Sequence, residues 1–148
     1  MQSHRCRDCG AEYDDASDSC EKRFAILLAL DHSRQEPWGS RHLPGFAVFS
    51  LQHPSLRAES VDHHLAVLYR IYVEGVARED VIAALRRNDG KTPTEWTIPS
   101  RPTSRPVHRP TITIKDLDDF PAESYATQLD AWCRATLVSW GVADASLC

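Results

Sequence analysis

Residues 59–75 read ESVDHHLAVLYRIYVEG. Val61, Leu65, Leu68 and Tyr72 recur at i, i+4, i+7 and i+11, which is one face of an α-helix. The spacing predicts a helix over 59–74, with Gly75 as its stop. In that register His64 falls inward, beside Val61, Leu65 and Leu68, whereas His63 falls with Arg70 and Glu74 toward solvent. Upstream, Phe46, Phe49 and Leu51 supply the apolar surface of a helix predicted over 41–52, which Ser40 is placed to cap. Pro44 is tolerable there only in the first turn. His53-Pro54 ends it, because a residue before proline is pushed out of the α region.

The same reading extends to both ends of the chain. Phe24, Leu27 and Leu28 mark a first helix, with Asp18 or Ser19 as N-cap and Glu21 placed three residues after Asp18, as in a capping box. Pro37 and Gly39 make 35–39 a loop. A short helix is predicted over 78–87, with Val81, Ile82 and Leu85 on one side and Asn88-Asp89-Gly90 as its stop. Residues 91–110 hold five prolines and read as an extended crossing. Trp96 and Ile98 are expected to pin part of it, and 101–109 to be mobile or partner-facing. Thr111–Ile114 reads as a short extended segment, and Leu117 and Phe120 fall in a turn or short helix. The last helix is predicted over 122–140, carrying Tyr125, Leu129, Trp132, Thr136, Leu137 and Trp140, and ending at Gly141. The expected fold is all-α: a compact bundle of about five helices forming one domain over 1–148. Residues 1–17 are polar and read as an irregular segment that needs an external tie.

Composition narrows the function classes. A chain of 148 residues can bury roughly 68–70% of its unfolded surface, so it needs no staples. Lys and Arg total 17 against 21 for Asp and Glu, a net charge of -4, which argues against a broad nucleic-acid surface. No apolar run reaches the roughly 20 residues of a membrane span. The opening MQSHRCRDCG lacks an apolar signal region, so the cytoplasm is the expected compartment. The five cysteines are then read as thiols rather than disulfides.

Cys6 and Cys9 form a C-x-x-C, whose tight turn lets two thiolates point at one ion. That is half of a tetrahedral zinc site. Cys20, His42, His53, His63 and His64 are the candidates for the rest. His53 ends one predicted helix and His64 lies in the first turns of the next, so a short corner brings them together. His42 is eleven residues before His53, roughly 16 Å along a continuous helix, too far for one ion. The expected ligands are therefore Cys6, Cys9, His53 and His64. Cys20 is an alternative ligand in place of one histidine, with His42 and His63 as further alternatives or supporting groups. Without a preceding strand, the C-x-x-C lacks the βαβ context of a thioredoxin-like redox motif. Cys133 beside Trp132 reads as a packing residue and Cys148 as inert. Asp116, Asp118 and Asp119 lack the Gly and Glu of a calcium loop. The basic stripe of Arg101, Arg105, His108 and Arg109 reads as a solvated linker.

FAILLALDHSRQEPWGSRHLPGFAVFSLQHPS over 24–55, followed by SVDHHLAVL over 60–68, resembles an uncharacterised bacterial family, domain of unknown function 5946. The matching positions are Cys6, Cys9 and Gly10, then Leu28–Asp31, His42, the triplet Gln52-His53-Pro54, and His64 with Leu65. Thr113, Ile114, Asp116, Tyr125, Trp132 and Trp140 complete the pattern. The chain departs at Phe49, where the family often has Tyr, and at Ala47, where it sometimes has Asp. The resemblance implies a common fold and a cysteine–histidine cluster, and no activity.

Two functions fit. In one, a structural zinc ties residues 1–17 to the helix corner, and the protein works as an adaptor or regulator of a protein or small-molecule partner. In the other, three protein ligands leave an open zinc position for hydrolytic or Lewis-acid chemistry, with His42, His63 or Asp62 as general base.

Overall fold

The apolar spacing along the chain becomes six α-helices and one two-stranded hairpin in the computed structural model, which describes residues 2–57, 61–98 and 105–148. The hairpin pairs β1 (His4–Arg5) antiparallel with β2 (Glu12–Tyr13). The helices are α1 (Cys20–His32), α2 (His42–Gln52), α3 (Pro54–Arg57), α4 (Val61–Tyr72), α5 (Arg78–Arg87) and α6 (Tyr125–Ser139). None of them is long and apolar enough to cross a membrane.

The central element is α2, which packs against α4 and α6 and is buried at nearly every position from Pro44 to Gln52. That follows from its composition, apolar around almost its whole circumference. Pro44 sits in its first turn, where the missing N–H has no intrahelical partner to lose. The main core joins Phe24 and Leu27 of α1, Phe49 and Leu51 of α2, Leu65 and Leu68 of α4, and Leu129, Trp132 and Trp140 of the C-terminal region. Polar ties fix the registry. Gln52 Nε2 donates to the Ile112 carbonyl at 2.7 Å and to Thr136 Oγ1 at 3.0 Å, and Tyr72 donates to Asp130 at 2.9 Å. A smaller cluster of Val67, Val81 and Leu85 seats α5, with Trp96 packed against it.

Local details differ from the expectations. Ser19 is the N-cap of α1, its side chain accepting from the Lys22 N–H at 3.1 Å. Asp18 instead pairs with Arg23, so no box forms with Glu21. Ser40 does not cap α2, because its hydroxyl and N–H both go to Glu36. Residues Gly39–Arg41 form a 3₁₀ turn ahead of the helix. The helix expected from Glu59 is described from Val61, and the expected start lies outside the described residues. The turn of helix over Pro54–Arg57 was not foreseen, since four residues carry no readable period.

Residues 4–13 are not irregular: the hairpin closes around the C-x-x-C, and Tyr13 is buried in the main core. Two-residue strands are too short to show alternation. Ile98 packs on the main core, as expected. Of the 101–109 stretch, residues 101–104 lie outside the described residues. The rest is tied down: the N–H groups of Val107 and His108 both donate to the Ser139 carbonyl. Thr111–Ile114 forms no strand, and Ile114–Leu117 is a 3₁₀ turn closed by a capping box between Thr113 and Asp116.

Candidate metal centre

Three separate pieces of chain meet at this site. The first is the knuckle between β1 and β2. The Cys6 N–H donates to the Ala11 carbonyl at 2.8 Å, and the Gly10 N–H to the Cys6 carbonyl at 3.0 Å. Gly10 has φ +85, a conformation that residues with a Cβ rarely adopt, and it lies under the Arg109 guanidinium, which a Cβ would push aside. The second piece is the first residue of α1, Cys20. The third is His53, just after α2.

The knuckle is anchored independently of any metal. Ser55 donates to Asp8, Lys115 to the Glu12 carbonyl, and His4 Nε2 engages the Asp18 carbonyl at 2.8 Å. The Tyr13 ring lies beneath the charged ends of Arg23 and Lys115, at 5.6 Å and 5.4 Å.

Ligand atoms of Cys6, Cys9, Cys20 and His53 all lie within 4.8 Å of one another. Cys9, Cys20 and His53 are buried, and Cys6 is partly buried. The Cys9 and Cys20 sulfurs are 3.5 Å apart, and Tyr13 Oη is 3.0 Å from the Cys20 sulfur. His53 is held as a ligand is usually held. Its ring stacks on Phe49 at 4.0 Å, Phe49 stacks on Phe24 at 3.9 Å, and Nδ1 donates to the Phe49 carbonyl at 2.8 Å. That bond fixes the tautomer and leaves the Nε2 lone pair available to a ligand. Nε2 is buried without a hydrogen-bond partner of its own. A buried orphan nitrogen beside three sulfurs is what a soft or borderline cation would satisfy.

Burial and the sulfur–sulfur contact work against the charged forms of this group. The Cys9 thiol is pushed up to about 12, first by its hydrogen bond with Cys20 and then by burial, with His53 pulling the other way. Burial and the Cys20 contact raise the Tyr13 hydroxyl too. A dication in the middle would reverse these effects, because it stabilises the thiolates that burial disfavours.

His64 stands apart from this group. Its ring packs 5.7 Å from Phe46, and Val67, one turn on, belongs to the cluster on which Leu43 packs. The partners on α2 therefore recede as α4 advances, the mark of an antiparallel pair. Phe46 is seven residues before His53, about 10 Å along a helix, so the corner carries His64 away from His53 instead of toward it. Its inward orientation is as the spacing predicts, since it is buried. Cys20 is the residue that lies with Cys6, Cys9 and His53. Its signal was only its position at a helix start next to a C-x-x-C knuckle. His63 is half-buried on α4, and His42 bonds to Asp31 instead. Cys133 is fully buried in the core and Cys148 is exposed.

A pocket of about 300 Å³ opens beside the group, lined by Cys6, Cys20 and His53 with His4, Tyr13 and Leu56 among its walls.

A family model described as "Family of unknown function (DUF5946)" matches residues 4–141. No curated protein and no solved structure matches the chain.

Proposed function

This chain belongs to the family of unknown function DUF5946, and we propose that in it Cys6, Cys9, Cys20 and His53 hold one structural zinc ion, in a protein that acts as an adaptor or regulator. The observation that carries the reading is the count of donors. Three sulfurs and one imidazole nitrogen within 4.8 Å are the four donors a tetrahedral site needs, and a site filled by four protein ligands would have no position for substrate. Thiolate-rich donors favour zinc among the common divalent ions, and the C-x-x-C-G knuckle is a turn that suits it. The ion would link the hairpin, the start of α1 and the end of α2, three segments distant in sequence. The apparent free energy of such sites is on the order of 10 kcal/mol, enough to rigidify the hairpin. What the hairpin then presents is a surface next to Leu56, an apolar side chain that is 47% exposed beside the site. A protein or small-molecule partner would dock on that surface.

The test is elemental analysis of the purified protein, with X-ray absorption at the metal edge. One zinc with three sulfur neighbours and one nitrogen is the expected result. Metal-free protein with a full cooperative melt would overturn the reading. The pocket of about 300 Å³ reaching Cys6, Cys20 and His53 favours a second reading, a zinc-dependent enzyme in which one ligand gives way to water or substrate. An oxygen neighbour in place of one sulfur would select it.

A further inference from the structure

We propose a second site, independent of the metal centre: a binding pocket for a small monocarboxylate with an aliphatic body, in which His42 receives the carboxylate. It shares no lining residue with the pocket at the cysteines.

Asp31, on α1, has a side chain that is 0% exposed, and its Oδ2 lies 3.0 Å from Nδ1 of His42, whose side chain is 41% exposed. The carboxylate faces the core. Its Oδ1 and the nearby Tyr125 hydroxyl are both buried without hydrogen-bond partners among the described residues. Burial, and after it the charge of Asp31, raises the Tyr125 hydroxyl. Gly45 lets α2 approach this pair, since a Cβ there would stand 3.4 Å from Tyr125 Oη and 4.0 Å from Asp31 Oδ2.

A carboxylate removed from water needs an opposing charge. Among the described residues His42 is the one ion-pair partner of Asp31. In the proposed complex the ring carries both protons, with Nδ1–H given to Asp31 and Nε2–H to the ligand carboxylate. His42 lines a pocket of about 520 Å³ whose walls are mainly apolar, with Leu43, Ile82 and Leu85 among them and the exposed Arg86 also lining it. That volume lies within the roughly 300–1,000 Å³ of small-molecule sites. The Arg86 cation asks for an anionic acceptor, and its planar fork matches a carboxylate. The apolar wall asks for an aliphatic body. Neither a bare anion nor a neutral aliphatic chain satisfies both.

The test is titration of the metal-loaded full chain with hexanoate, followed by NMR of the histidine ring protons, with hexanol and acetate as comparison probes. Hexanoate is expected to give a saturable shift of the His42 resonance, and the other two to bind at least about tenfold more weakly, the loss of one charge-assisted contact or of the apolar burial. His42→Gln and Arg86→Gln are each expected to weaken hexanoate about tenfold, Arg86→Gln with the melting temperature retained and His42→Gln with a lower one, because the buried Asp31 loses its partner. Equal binding of hexanoate and hexanol, no saturable shift, or full hexanoate affinity in His42→Gln would each overturn the proposal. Should His42→Gln fail to fold, the surface variant Arg86→Gln and the three-probe comparison on the unmutated chain still decide it.

Discussion

The sulfur of Cys20 lies 3.5 Å from the sulfur of Cys9, although eleven residues and a hairpin strand separate them in the chain. Two thiolates on one tetrahedral zinc, with bonds of about 2.3 Å, would sit about 3.8 Å apart. The folded chain therefore brings these atoms nearly to ligand spacing through its own packing. The expected consequence is that Cys20→Ser loses bound zinc and lowers the melting temperature together. Elemental analysis of folded Cys20→Ser and His64→Ala separates the two candidates for the fourth ligand. Full zinc in Cys20→Ser with none in His64→Ala would refute the assignment.

Removing the metal should expose thiols selectively. With zinc bound, iodoacetamide at neutral pH is expected to modify Cys148 alone, since it is exposed. After chelation Cys6 should follow first, being the partly buried member of the group. Cys133 should resist in both states, because burial raises its thiol and excludes the reagent. Mass mapping of the labelled peptides reads the order. Early labelling of Cys133 in folded protein would contradict the packing described.

His63 should titrate below the ordinary histidine value of about 6.5, because partial burial disfavours its charged form. Its folded pKa is lowered, so the unfolded chain binds the proton more readily. The stability it contributes is present above pH of about 6.5 and is lost as pH falls through the folded value. NMR titration of its ring proton measures the shift directly, apart from any acid release of metal. His63→Gln should remove this component of the acid sensitivity and leave the zinc content unchanged.

Gln52→Leu is expected to cost about 1–3 kcal/mol, because it leaves the partly buried Ile112 carbonyl without its donor. Thr136 is less affected, since its hydroxyl also donates to the Trp132 carbonyl at 2.8 Å. Denaturant unfolding with an unchanged m-value would show the loss as one of stability. A change below a few tenths of a kcal/mol would mean that Gln52 does not hold the Ile112 segment to α2 and α6.

The helices were legible because their apolar stripes are long. Val61, Leu65 and Leu68 face inward as their spacing requires, and α5 occupies the predicted residues 78–87. The hairpin was not legible, because two residues per strand make no pattern. The cap of α2 was misread because Ser40 had a competing partner, Glu36, four residues earlier. In the cysteine–histidine group the C-x-x-C and the His53-Pro54 corner carried their own signals. Cys20 carried almost none, and the helical phase that placed His64 inward said nothing about which end of α2 it would face.

By itself the sequence determined an all-α chain, an apolar helix over 41–52, and the candidacy of Cys6, Cys9 and His53 as metal ligands. Those follow from local spacing, which residues a few positions apart can encode. The fourth partner, the sulfur spacing and the burial of Asp31 behind His42 were decided by the tertiary structure alone. They depend on how α1 and the hairpin settle against α2, and on the direction in which α4 runs back along it. Such contacts join residues far apart in the chain, and they are fixed by the packing of whole helix faces, which no short stretch of sequence contains.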